Sequence, residues 1–241
     1  MKENKKIYLT FDFDWACDEV LLYTLDIIEK YDIYATFFVT NETKVLENFR
    51  TNNKIELGIH PNFNNLLDGK SLEGGADFVI KNFKKIIPES VSVRSHCLTQ
   101  SSRILDLFKN NGFTHDCNLF IPYNNNINLK PIRHWNSMIR VPHFWEDDIF
   151  CLENINTNDT YWDVSNFLQI DGLKVFGFHP IHIYLNTDKL ALYENTRNYH
   201  NKPKELFELR NNNIGINNFL VNLIIEAKKN NFEFDLIKNI F

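Results

Sequence analysis

Apolar positions along the chain follow two alternating rhythms. Short runs rich in β-branched and aromatic residues alternate with longer segments whose apolar positions fall at helical spacing. The first run is Lys6-Ile7-Tyr8-Leu9-Thr10-Phe11-Asp12-Phe13-Asp14-Trp15, a buried-strand pattern that climbs out of a basic N-terminus and ends in two carboxylates. Residues 18–30 then place Val20, Leu21, Leu25, Ile27 and Ile28 at helical spacing behind an acidic first turn, which predicts an amphipathic helix. Ala35-Thr36-Phe37-Phe38-Val39-Thr40 reads as a second buried strand, after which Asn41 or Thr43 caps a helix running through Phe49. Ile55-Glu56-Leu57-Gly58-Ile59-His60-Pro61 is a third strand, followed past the Asp68-Gly69 turn by a helix over 72–86. Val91-Ser92-Val93-Arg94-Ser95-His96 is a fourth strand, and 101–111 a helix stopped by Gly112. Four strand–helix alternations predict a parallel α/β sheet or barrel with its chemistry on one face.

From about 117 to 163 the pattern loosens. Pro122, the Asn124-Asn125-Asn126 run and Pro131 mark loops around a short strand over 138–141, which is followed by the polar and aromatic patch Pro142-His143-Phe144-Trp145-Glu146-Asp147-Asp148. Residues 173–180 make a strong strand ending in His-Pro, 186–203 read as a polar surface excursion, 214–229 as a closing helix and 232–237 as a last strand. No repeat, low-complexity linker or composition shift divides the chain, so a single domain over 1–241 is expected.

Charged and imidazole side chains recur where the strands end. These are Asp12 and Asp14, then His60, then Arg94 with His96, then His179. Residues two apart in a strand share a side, so Asp12 and Asp14 are expected to face one pocket. Like charges that close need a cation or a shared proton. Carboxylate with imidazole is the donor mix of zinc or another divalent first-row metal. An aspartate beside a metal-bound water can act as general base, because the metal brings the pKa of that water toward neutrality.

Composition removes several other classes of function. A net charge of -5 argues against a general nucleic-acid surface. No apolar run approaches the ~20 residues of a membrane-spanning helix. The N-terminus lacks a signal-peptide pattern, and Cys17, Cys97, Cys117 and Cys151 have no C-x-x-C spacing, so reduced thiols and a cytoplasmic location are expected.

Thr10-Phe11-Asp12-Phe13-Asp14, Gly58-Ile59-His60-Pro61, Arg94-Ser95-His96 and Phe178-His179-Pro180, in that order, resemble the motifs of the polysaccharide deacetylases, the NodB-homology or carbohydrate esterase family 4 group. The resemblance covers roughly residues 6–185. It implies a distorted (β/α)7-type barrel and metal-dependent hydrolysis of N- or O-acetyl groups on a sugar. By the same resemblance Asp12 is the catalytic base, Asp14 and His60 are metal ligands, Arg94 orients and tunes the base, and His179 protonates the leaving group. The family usually supplies a second metal histidine four residues after the first, where this chain has Asn64. Asn is a poor zinc ligand, and His96, at the end of the next strand, is the candidate replacement. The pattern is most similar to a branch found in O-antigen and other surface-polysaccharide clusters, which implies an acetylated sugar as substrate.

An imidazole that moves protons needs an acidic partner to hold its tautomer. Asp147 or Asp148 can supply one, with Asp147 favoured. His182 is expected behind the reacting side chains or at the rim of the site, and His115, His134, His143 and His200 in loops. Trp15, Trp145 and Trp162 are candidates to line a sugar site. Three other readings compete. A haloacid-dehalogenase-type phosphatase also opens on D-x-D, but expects Thr or Val where this chain has Ala16. It also leaves the histidines without a role, as does a metal-dependent glycosyltransferase. A deacetylase-like scaffold that only binds sugar is the third.

Overall fold

The structure is a computed structural model that describes residues 5–70, 74–153 and 162–241. Its strands are β1 (Lys6–Asp12), β2 (Ala35–Val39), β3 (Ile55–Ile59), β4 (Ser92–Val93), β5 (His115–Asp116), β6 (Ile132–Arg133), β7 (Ile139–Arg140), β8 (Trp145–Glu146), β9 (Lys174–Phe178) and β10 (Glu233–Phe234). Its helices are α1 (Asp18–Lys30), α2 (Leu46–Thr51), α3 (Asn64–Leu67), α4 (Gly75–Ile86), α5 (Ser102–Asn110), α6 (Asp147–Glu153), α7 (Ser165–Leu168), α8 (Pro180–Leu185), α9 (Leu190–Thr196), α10 (Pro203–Glu208) and α11 (Ile216–Lys229).

The hydrogen-bonded order is β6-β7-β5-β4-β3-β2-β1-β9-β8, with β10 beside β1. Every pairing is parallel except β6 on β7. β7 and β8 are separated only by 141–144, and that stretch is itself paired. Val141 N–H donates to Asp116 C=O on one side, and Phe144 N–H to Val175 C=O on the other. One extended passage therefore joins β5 to β9 and closes the sheet on itself. The ring runs through seven strands: β1, β2, β3, β4, β5, the β7–β8 passage and β9. This is the distorted (β/α)7-type barrel that the motifs imply.

Alternation along the strands sorts the side chains between two layers. Ile7, Leu9 and Phe11 of β1 pack outward with Leu21, Leu25 and Ile28 of α1 in the main apolar core. Tyr8, Phe38, Val175 and Val141 point the other way and form a second cluster, closed from below by Ile237 and Ile240 of the C-terminal tail. Glu56 ties that tail down. Its carboxylate accepts from Thr36 (2.8 Å), Ser92 (2.5 Å) and the Lys238 N–H (3.0 Å), so the buried charge is well satisfied. Polar chemistry is left to the other end of the barrel, where Asp12 and Arg94 lie.

Most expected elements form, and their ends follow local chemistry. The Ser101 hydroxyl accepts from the Ile104 N–H at the start of α5, and Gly112 takes φ +86° just beyond its end. The helix expected over 72–86 begins at Gly75, and Leu72 lies outside the described residues. Two expectations are corrected. Residues 186–203 are not a plain surface excursion: they carry α9, which packs on the fully buried α8. The last strand is only Glu233–Phe234, because the tail turns at once into a 3-10 turn that plugs the barrel.

Candidate active site

Two buried pairs flank a cluster of three donors at the C-terminal ends of the strands. The first pair is Asp12 and Arg94. Arg94 Nη1 donates to Asp12 Oδ1 (3.1 Å), Nη2 donates to Thr10 Oγ1 (2.9 Å), and the guanidinium lies 4.7 Å from the centre of the Phe38 ring. Burial alone would ease the proton off Arg94, but the Asp12 charge and hydrogen bond, with the Glu146 charge among the further contributions, together outweigh it and raise its pKa, so the guanidinium stays charged. Asp12 Oδ2 is left facing His60 Nδ1 at 3.7 Å.

Asp14 reaches the same pocket by a route that strand periodicity does not describe. β1 ends at Asp12, and Asp14 and Trp15 have φ of +41° and +58°, a left-handed turn that non-glycine residues rarely adopt. Hydrogen bonds from Phe13 N–H to Phe38 C=O and from Trp15 N–H to Thr40 Oγ1 hold that turn. A second left-handed pair, Cys97 and Leu98 (φ +54° and +51°), follows His96. Each such residue costs about 1–3 kcal/mol and persists where its surroundings over-determine it. Both pairs border the donor cluster, and the Trp15 ring stands edge-on to the His96 ring with centroids 4.9 Å apart.

The donor cluster is Asp14, His60 and His96, whose candidate ligand atoms all lie within 4.8 Å of one another. Asp14 Oδ1 is 3.1 Å from His60 Nε2 and 3.2 Å from His96 Nδ1. Burial alone would push the Asp14 carboxyl up, but hydrogen bonds from His60 and His96 and the charges of His60 and His179 hold it well below the usual carboxylate range. Two imidazole nitrogens and one ionised carboxylate converging on one point fit a zinc-like divalent cation. Asn64 opens α3, and its amide faces the Cys97 sulfur (3.9 Å) instead of the cluster.

The second pair is His179 and Asp147. Asp147, fully buried at the start of α6, accepts from His179 Nδ1 (2.6 Å) and from the His179 main-chain N–H (2.7 Å). His179 Nε2 then faces Asp14 Oδ2 at 3.6 Å. Burial works against a charged ring, yet Asp147, by charge and hydrogen bond, with Asp14 and Asp148 behind it, raises the His179 pKa well above its ordinary value. Asp148 itself is pushed up to about 6, first by burial. Asp147, His179 and His182 also approach as a possible metal group. Both Asp147 oxygens are already taken by His179, which makes this a hydrogen-bonded dyad in place of a ligand set.

Of the residues singled out by sequence, the structure therefore gathers Asp12, Asp14, His60, Arg94, His96, Asp147 and His179 in one pocket. Several others go elsewhere. His182 is buried under the site behind His179, one of the two places expected for it, with its pKa lowered by burial to about 4. His143 is not in a loop: it lies wholly buried on the β7–β8 passage, 2.5 Å from Glu146 Oε1. His115 lies in β5 and donates from Nε2 to Ile240 C=O (3.0 Å), while His134 pairs with the buried Asp116 (3.0 Å). Trp145 is core, stacked on Phe219 at 4.5 Å, and Trp162 packs on the same cluster, so only Trp15 of the three adjoins the site. Sequence reasoning missed Thr10, His143 and Glu146. The signal available was the inward phase of Thr10 with Asp12, and a His and a Glu on an extended run entering Asp147.

The comparisons identify the family and the fold. Residues 9–197 match the family model described as WbmS-like: Polysaccharide deacetylase. The chain belongs to the WbmS-like polysaccharide deacetylases. A protein from Bordetella bronchiseptica, described as a polysaccharide deacetylase involved in O-antigen biosynthesis, is 43% identical, with 93% of this chain and 92% of that one covered and a TM-score of 0.86. More distant structures share the fold alone. A polysaccharide deacetylase from Bacillus cereus is 14% identical over 96% of this chain and 91% of that one, with a TM-score of 0.51. A carbohydrate esterase family 4 pseudoenzyme from Bacillus anthracis is 14% identical over 99% of this chain and 66% of that one, also with a TM-score of 0.51. Comparison with curated proteins gives no match. Membership in this family sets aside the phosphatase and glycosyltransferase readings.

Proposed function

We propose that this WbmS-like chain, acting as one domain, hydrolyses an N- or O-acetyl group from a sugar in O-antigen or related surface-polysaccharide biosynthesis. The observation that carries the reading is the placement of the Asp12–Arg94 and Asp147–His179 pairs on either side of the Asp14, His60 and His96 cluster. Those three residues would hold a divalent cation, zinc by their donor set. When bound, such a cation acidifies a water and polarises the acetyl carbonyl.

The remaining work falls to the chain's own side chains. Asp12 has Oδ1 committed to Arg94, which leaves Oδ2 to take the proton from the attacking water. Arg94 fixes the direction of that carboxylate. His179, anchored through Nδ1, presents Nε2 to the pocket with a proton for the departing amine or alcohol. Trp15, half exposed beside His96, offers an apolar face for a sugar ring.

Among the described residues no helix is long and apolar enough to cross a membrane. This fits a cytoplasmic enzyme that acts on a small activated sugar or a lipid-linked precursor. Acetate release from acetylated sugars, measured before and after chelation and after zinc is restored, tests the proposal. Release that stops with chelator and returns with zinc is expected. Sugar binding without acetate release would point to a scaffold that only binds.

A further inference from the structure

Arg94 crosses the barrel interior from β4 to reach β1, and three of its contacts are accounted for by Asp12, Thr10 and Phe38. The remaining side of the guanidinium is set by β8 and β9. Glu146 is in register with Gly177, and Gly177 with Thr10, so the three residues form one row across β8, β9 and β1. A Cβ on Gly177 would lie 3.0 Å from Glu146 Cγ and 3.5 Å from Arg94 Nη1. Both side chains border the space that the missing side chain leaves, and the Glu146 charge helps to raise the Arg94 pKa across it. Glu146 is fixed in turn by the buried His143, whose Nε2 lies 2.5 Å from its Oε1. Burial alone would raise the Glu146 carboxyl, but His143, then Arg94 and His179, hold it down to about 2.

We propose that Glu146 is a positioning residue for the reaction: held by His143 and admitted by Gly177, its carboxylate backs the Arg94 guanidinium and keeps it aimed at Asp12. The proposal rests on the reading of Asp12 as the proton acceptor. A wholly buried guanidinium needs a counter-charge. Asp12 supplies one while ionised, and loses it when it takes the proton from water. Glu146 keeps its charge through that step, so Arg94 stays compensated and in place as Asp12 becomes neutral.

Glu146→Gln removes the charge and keeps the size. It is expected to lower kcat about tenfold or more through misplacement of the Asp12–Arg94 pair, with KM and metal content unchanged. Gly177→Ala crowds the Glu146 side chain, 3.0 Å from the added Cβ, without removing a titratable group, and is expected to lower kcat in the same way. A wild-type kcat in Glu146→Gln would overturn the proposal. So would a raised KM at unchanged kcat, which would make Glu146 a substrate contact. Side-chain NMR of Arg94 separates this from failure of the deacetylase reading, because it needs no turnover. Restricted guanidinium signals in the wild type that become averaged in Glu146→Gln are expected, and signals unchanged by the substitution would overturn the proposal.

Discussion

Asp147 holds His179 at two points, its ring through Nδ1 and its backbone through the main-chain N–H. A carboxylate that gripped only the ring would fix a tautomer. One that also grips the backbone fixes where the ring stands, so Nε2 points at the donor cluster whatever the loop around it does. The arrangement mirrors the other side of the pocket, where Arg94 fixes Asp12 through one oxygen and leaves the second to the reaction.

A proton held at His179 Nε2 matters most for leaving groups that depart poorly. His179→Ala should slow hydrolysis of acetamido sugars much more than that of aryl acetates, by about 10²–10⁴-fold for the amide. Asp147→Asn should show the same pattern more weakly. Parallel measurement of kcat on both substrates decides it, and equal losses would remove the leaving-group role.

Asp12→Asn keeps the size of the side chain and an oxygen for Arg94, but its amide cannot take a proton. The fold and the metal content should survive, while kcat drops about 10²–10⁴-fold. Steady-state kinetics with metal analysis of the same sample checks both halves.

His96 shares Asp14 Oδ1 with His60, whereas the Asn64 amide faces a thiol. His96→Ala should therefore weaken zinc binding about tenfold or more. Asn64→Ala should leave it unchanged. Competition titration against a chromophoric chelator measures the two affinities.

Trp145 was a plausible sugar platform by sequence, yet it is 1% exposed and lies flat on Phe219 of α11 (interplanar angle 1°). Trp145→Ala should cost about 3–5 kcal/mol of stability as a cavity in the core. Urea unfolding gives the number, and its size marks Trp145 as the join between the barrel passage and the closing helix.

How much could be read from sequence depended on whether one strand decided the matter. His60, Arg94 and His179 follow short runs whose apolar pattern is plain, so their shared face was legible. Asp14 meets Asp12 in one pocket through a left-handed turn, not through the strand phase that their spacing suggests. His143 and Glu146 were illegible because the β7–β8 passage is too short to show alternation, and its partners β5 and β9 are distant in sequence. Gly177 has a similar history: its role is visible only once Arg94 arrives from across the barrel. Barrel closure is a long-range fact, and periodicity within a window cannot contain it.

His182 gives the molecule an acid-sensitive floor. The ring is buried, hydrogen-bonded through Nδ1 to Thr187 Oγ1 (3.1 Å), and packed between His179 and Tyr193. Burial lowers its pKa to about 4, against about 6.5 for an unfolded histidine. Between those two values the unfolded chain binds the proton and the native one does not. The neutral ring's contribution is therefore intact above about pH 6.5 and declines as the pH falls toward the folded value, by an amount on the order of 3 kcal/mol. His143, lowered by burial in the same direction, adds to the trend, whereas the raised pKa of His179 opposes it. Comparison with His182→Gln isolates one residue from the others. In chelator, so that metal release does not intervene, the stability difference between wild type and variant should be flat above about pH 7 and shrink steadily below about pH 6.5. A difference that stays constant through the acid range would mean that His182 is charged in the native protein, and that the floor of the site is polar and hydrated.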